Sequence, residues 1–453
     1  MTRVLLVLII WGFVSCKYIN KTDPHEITET PIRSPNVIFI MADDLGYGDL
    51  GCYGQKEILT PNIDQLASEG IRFTNCYAGS TVCAPSRNVL MTGQHTGHTT
   101  VRGNMSNFGG VPPQGRVPLK NEEITVAEIF KSAGYVTGIT GKWGLGEPNT
   151  TGTPNKQGFD EWFGYLNQRN AHTYYPPYLW KNEEKMILDG NADGKMGQYT
   201  HDMFTEFAVE FISDHKDKPF FLYIPYTIPH VKYEILDIAP YHDKEWTDDE
   251  KVHAAMITRM DKDVGRIMNM LQEFDLNKHT LIFFCSDNGA YLRHEGRFDS
   301  SGKLRGRKTE MYEGGIRTPM IIRWTDNIDP GTVSHFPWYF ADFLPTMAEL
   351  TGRPEPENLD GMSILHEILS TNVLNDNRFI CWELLTDDFR QAIRWKNWKG
   401  VKNGLDQPWE LYDLSVDEGE QNNIADNHPD IIMNFEEYIK NNRTESVLWP
   451  SGL

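Results

Sequence analysis

The sequence predicts an α/β protein: a large, mostly parallel sheet flanked by helices, followed by a smaller C-terminal α+β unit with an antiparallel sheet. Three observations carry this expectation. Short, continuously apolar runs alternate with segments of helical period, as buried parallel strands and their crossover helices do. Two of the runs stop abruptly at carboxylates, Asp43-Asp44 and Asp287. After about residue 370 the pattern tightens into brief strand-like runs separated by turn formers.

The chain begins with Arg3 and an apolar run from Val4 to Val14, too short to span a bilayer and of the form of an export signal over 1–15. The run ends Phe13-Val14-Ser15-Cys16, which resembles a bacterial lipobox with Cys16 as the lipidated first residue. Residues 16–35 form a polar tether, so the expected location is the bacterial cell envelope, with the lipid as sole membrane contact. The catalytic domain is expected over 36–370 and the smaller unit over 371–453.

Within that frame each element has a local reason. Asn36–Ala42 is a buried strand. A helix follows, with Thr60 as cap, Pro61 at its first position and Gly70 as terminator; Ile71–Thr74 is then a strand. Thr125 and Glu128 make a capping box for a helix that Gly134 ends before the strand starting at Tyr135. Residues 201–215 and 249–273 are helical, while Phe220–Ile224 and Thr280–Cys285 are apolar strands. Runs at 378–382, 391–394, 398–401 and 409–412 form the meander, and 429–442 a terminal helix.

The 453 residues carry 43 basic and 63 acidic side chains, a formal net charge of −20. That balance excludes a nucleic-acid surface but leaves room for a local anionic pocket. Five cysteines follow Cys16, an odd number: Cys52 and Cys76 are candidates for a pair, Cys285 for a buried thiol, and Cys83 for chemistry.

Asp43, Asp44, Asp287 and Asn288 converge at strand ends if the strands are parallel neighbours, where α/β sheets place their sites. Oxygen donors without a rich histidine or cysteine set favour Ca²⁺ or Mg²⁺ over zinc. Cys83-Ala84-Pro85-Ser86-Arg87 opens a helix, whose N-terminus and Arg87 together suit a tetrahedral anion. On residue chemistry alone this is an anion site containing a cysteine nucleophile.

Cys-x-Pro-Ser-Arg resembles the signature of the type I, formylglycine-dependent sulfatases of the alkaline phosphatase-like superfamily. Asp43-Asp44-Leu-Gly-Tyr-Gly-Asp49, Gly141-Lys142-Trp143, Ser286–Gly289 and Tyr312–Pro319 stand in the order that family uses. The resemblance implies conversion of Cys83 to formylglycine by a separate generating enzyme, and Ca²⁺ held by Asp43, Asp44, Asp287, Asn288 and residue 83. It implies Arg87, Lys142 and Lys308 at the sulfate, Asp287 as general base and His230 as general acid. The family's usual substrates and the export signal point to a sulfated carbohydrate. One departure stands out: Gly144 occupies the position where many relatives have a histidine. His172 is the expected replacement, and Gln168, Arg169, His294 and Arg297 are candidate substrate contacts. Competing expectations are a phosphonate or phosphate ester hydrolase of the same superfamily, and a non-catalytic glycan-binding protein on the same fold.

Overall fold

A mixed sheet with parallel strands at its centre forms the spine of the protein. The structure, a computed structural model, describes residues 34–370 and 377–452. The expected signal, the Cys16 lipid site and nearly all of the tether lie outside that range. The strands of the large sheet are β1 Asn36–Ala42, β2 Ile71–Tyr77, β3 Val136–Lys142, β4 Glu161–Tyr165, β5 Tyr178–Lys181, β6 Glu184–Ile187, β7 Phe220–Pro225, β8 Thr280–Ser286, β9 Arg317–Arg323, β10 Thr332–Ser334 and β11 Trp338–Tyr339. Their spatial order is β10-β2-β9-β8-β1-β7-β3-β4-β5-β6, with β11 beside β2. The central run β8-β1-β7-β3-β4 is entirely parallel. β9, β5 and β6 add antiparallel pairs toward the edges.

The principal helices are α1 Pro61–Ser68, α2 Cys83–Thr92, α3 Val126–Ser132, α4 Thr200–His215, α5 Asp248–Glu273, α6 Glu313–Ile316, α7 Phe343–Thr351, α8 Leu365–Ile368 and α9 Pro429–Asn441. The centre strands bury both faces, which is why they are apolar throughout instead of alternating. Alternate β1 residues feed two cores. Val37, Phe39 and Met41 join one with Phe221 and Phe283; Ile38, Ile40 and Ala42 join the other with Ile224 and Phe284.

A second sheet, β12 Phe379–Leu385, β13 Phe389–Trp395, β14 Trp398–Lys402 and β15 Glu410–Asp413, is an antiparallel meander. α9 covers it through Ile431, Phe435 and Ile439, which pack with Ile393 and Leu411. No helix among the described residues is long and apolar enough to cross a membrane.

The Thr125 capping box forms as expected. Thr60 does not cap α1: its hydroxyl accepts from Gly51 N–H at 2.9 Å and donates to Asp64 at 3.1 Å. The side chain ties a neighbouring turn to the helix instead of closing the helix end. Cys52 and Cys76 do not pair; both are free thiols.

Candidate active site

The site lies at the carboxyl edge of the four parallel strands β8, β1, β7 and β3. Asp43 and Asp44 follow β1, Asp287 and Asn288 follow β8, Lys142 ends β3, and His230 lies just past β7. The register aligns Ala42 with Ser286, so the two carboxylate pairs leave the sheet side by side. Backbone bonds lock the exits: Asp287 N–H donates to Ala42 O, and Asp43 N–H to Ile228 O, both at 3.1 Å. Asp44 turns back with φ 64° and donates its N–H to Asp287 Oδ1 at 3.2 Å.

α2 delivers the cysteine loop to the same edge, with Cys83 as its first residue and Pro85 in the first turn, where a missing N–H costs nothing. Ser86 Oγ accepts from Gly79 N–H and donates to Asp287 O at 2.5 Å, fastening the helix N-terminus to the β8 exit. Cys83 Sγ stands 3.4 Å from Asp43 Oδ1 and 3.3 Å from Lys308 Nζ. Lys142 Nζ meets Asp43 Oδ2, and Lys308 Nζ meets Asp44 Oδ1, each at 2.6 Å. His230 Nε2 faces Asp44 Oδ2 at 3.5 Å.

Arg87 differs from expectation. It is fully buried, donates through Nε and Nη2 to Asp287 Oδ2 at 3.1 and 2.7 Å, and binds the Lys142 carbonyl with Nη1. Its guanidinium is therefore committed to orienting Asp287 and the end of β3. The sequence could not show this, because Arg87 and Asp287 are 200 residues apart.

Electrostatics follow from this crowding. Burial opposes ionisation at Asp43, but Lys142, His230, Arg87 and Lys308 outweigh it and hold the carboxyl well below its ordinary range. Asp44 is lowered likewise, chiefly by Lys308 and His230 against burial. Burial and the charge on Asp43 push Asp287 up to about 6. They also push the Cys83 thiol up to about 12, so as a thiol it is protonated at neutral pH.

Asp43, Asp44, Cys83 and His230 offer ligand atoms within 4.8 Å of one another. Asp44 Oδ2 and Asn288 Oδ1 are buried acceptors without a hydrogen-bond partner. Such oxygens are costly unless something cationic meets them, so the donor set fits a hard divalent ion. A second group, His95, His98 and Asp360, fits one poorly. His95 Nδ1 accepts from Gly97 N–H, which leaves Nε2 carrying the proton of the neutral ring.

The remaining expected residues divide. His172 packs against His230 with ring centroids 4.5 Å apart and the planes tilted by 37°. Gln168 is buried and Arg169 exposed beside it. The loop at 291–306 does not present free basic charge. Arg293 pairs with Glu295, Arg297 with Glu250 while lying over Trp246, and Lys303 with Glu418. Arg305 bonds Tyr412 and Tyr312. Acidic neighbours in an acidic chain pair with these cations, Arg297 among the expected substrate contacts included. His294 packs against His253 at 4.7 Å. Sequence reasoning missed Arg116 and Asn104, which border the site from a segment without a recognisable pattern; the glycine at 144 was the one clue.

A parallel sheet whose strand ends gather three carboxylates, two lysines and a helix N-terminus around one side chain defines a metal-assisted hydrolase of anionic esters. The chain belongs to the sulfatase family. The Sulfatase family model matches residues 35–353, and the model for the C-terminal region of N-sulphoglucosamine sulphohydrolase matches 307–445. Human arylsulfatase A is 32% identical over 442 residues, covering 86% of this chain and 83% of that protein. N-acetylgalactosamine-6-O-sulfatase of Bacteroides thetaiotaomicron is 30% identical over 493 residues, covering 91% and 94%. The solved structure of Ps i-CgsB in complex with k-i-k-neocarrahexaose superposes with a TM-score of 0.80 at 29% identity, covering 92% of this chain and 95% of that one. The protein is thus a sulfuric ester hydrolase.

Proposed function

We propose that this sulfatase removes sulfate from a sulfated carbohydrate, using formylglycine made from Cys83 and a bound Ca²⁺. The observation that carries the reading is the seat of Cys83: at a helix N-terminus, between Asp43 and Lys308, beside two buried oxygens with no partner. The named substrate of the Bacteroides relative and the oligosaccharide in the Ps i-CgsB complex support a glycan.

Asp43, Asp44, Asp287, Asn288 and residue 83 would hold the ion; hard oxygen donors favour Ca²⁺ over zinc. When bound, it would supply Lewis-acid neutralisation of charge on the sulfate and the nucleophile. Conversion of Cys83 would supply a hydrated aldehyde, with one hydroxyl to attack sulfur and another to expel sulfate afterward. Asp287, pushed up to about 6 and held by Arg87, is placed to accept the nucleophile's proton. His230, beside Asp44, would donate a proton to the leaving-group oxygen, and Lys142 and Lys308 fix Asp43 and Asp44 while adding positive charge. Maturation requires a formylglycine-generating enzyme, and the N-terminal signal places the protein in the cell envelope through a lipid on Cys16.

Peptide mass spectrometry across residue 83 of active protein should find the aldehyde or its hydrate. Sulfate release from sulfated oligosaccharides should stop on chelation and return with Ca²⁺. Full turnover by protein carrying only the thiol would defeat the reading.

A further inference from the structure

Gly144 leaves a gap in the ring of side chains around Cys83, and the structure fills it from elsewhere. A Cβ at residue 144 would overlap the side-chain amide of Gln168, and φ is +89° there. Gln168 Nε2 lies 3.4 Å from the Gly144 carbonyl, while its Oε1 accepts from Arg116 Nη1 at 3.1 Å. The same Nη1 binds the Asn104 carbonyl, and the Asn104 side chain accepts from Ala84 N–H at 2.9 Å, one residue past Cys83. Gln168 thus holds Arg116 from one side and the loop capping α2 holds it from the other.

Arg116 combines burial, the lack of an ion pair and an unpartnered guanidinium nitrogen. Only 7% of it is exposed, yet no carboxylate among the described residues lies within ion-pair distance. Its Nε is buried and has no hydrogen-bond partner. Burial acts on it most strongly, and the titratable groups near enough to act on it are Glu147, residue 83 and Arg169. A buried guanidinium without a counter-ion is costly, whereas Arg87, equally buried, has its aspartate. The open edge of the Arg116 fork suits a planar pair of anionic oxygens.

We infer that Arg116 contacts the substrate's sulfate on the side of residue 83 that Gly144 leaves bare, with Gln168 and Asn104 as its positioning residues. This rests on the sulfatase site described above. Charge at this position is then permanent, where an imidazole would titrate.

The test is calorimetric binding of inorganic sulfate to calcium-loaded, full-length Cys83→Ser protein, with and without Arg116→Gln. The substitution should weaken sulfate binding by about 10- to 100-fold, with the thermal midpoint held within a few degrees. Arg116→Lys keeps the charge, loses the fork, and should fall between the two. If Arg116→Gln fails to fold, Arg116→Lys and Gln168→Leu decide: both should weaken sulfate binding, Gln168→Leu less. In the converted enzyme, with formylglycine at residue 83, Arg116→Gln should raise KM even for a substrate with one sulfate on a neutral sugar. Unchanged sulfate affinity in a folded variant overturns the inference. So does a KM effect confined to substrates with a second anionic group. Failure of the Cys83→Ser parent to bind sulfate would instead defeat the site reading itself, and this inference with it.

Discussion

Two of the buried clusters of charge among the described residues differ in one respect: only one of the two leaves bonds open. The first is the crevice around Cys83. The second joins α6 to the antiparallel sheet. There Glu313 accepts from Tyr77 at 2.7 Å, from Arg317 Nε at 2.6 Å and from Lys399 at 3.0 Å. Lys399 also meets Glu420 at 3.2 Å, and Glu420 accepts from Glu313 N–H at 2.7 Å. Arg317 extends to Glu418, and Arg394 binds the Tyr77 hydroxyl. None of the side-chain nitrogens or oxygens in this second cluster is left without a partner. In the crevice, Asp44 Oδ2 and Asn288 Oδ1 are. A closed network of charges locks two sheets together; an open one of similar composition waits for a ligand. Burial and ionic content do not distinguish structural charge from functional charge here. Unmet acceptors do.

Four experiments can break that contrast. Cys83→Ala should cut kcat/KM for sulfate release at least about a thousandfold, while the thermal midpoint moves by no more than a few degrees. Comparable loss of stability would mean the crevice is structural after all. Glu313→Ala should do the opposite. It takes from Arg317 and Lys399 one of the two carboxylates each of them meets and should cost about 3–5 kcal/mol in urea unfolding, with little change in activity per folded molecule. Third, Ca²⁺ at a hundred times its dissociation constant should add about 2.7 kcal/mol to stability. Asn288→Ala should shrink that gain, and Glu313→Gln should not. An equal gain in both variants would move the ion elsewhere.

The last effect concerns pH. Burial raises Glu420 from 4.5 to about 7, with Lys399 opposing. Between those values the folded protein keeps a proton that the unfolded chain has lost, so stability declines as pH rises through this window. The slope should reach up to about 1.4 kcal/mol per pH unit. Glu420→Gln should flatten it in urea titrations at pH 5, 6, 7 and 8. A slope unaffected by the substitution would remove Glu420 as its source.

Much of the fold was legible because its signals are local. The apolar runs of β1 and β8 end at carboxylates within a few residues, and the Thr125–Glu128 box announces α3 unaided. The cysteine segment identified itself by spacing. Where reading failed, the missing information was a partner. Thr60 looked like a cap because its neighbours in sequence favour one, but Gly51 claims its hydroxyl. Arg297 looked available until Glu250 folded against it. Arg116 gave no local signal.

The order of strands and helices and the residue types gathered for chemistry were set by the sequence alone, since periodicity and spacing act over a few residues. Which charges are spent and which are free was decided only by the tertiary structure. Asn288 reaches Asp44 across 244 positions, and Lys308 reaches it across 264. A side chain's worth to catalysis depends on the distance to a counter-charge and on the exclusion of water, and both exist only once the sheet has closed.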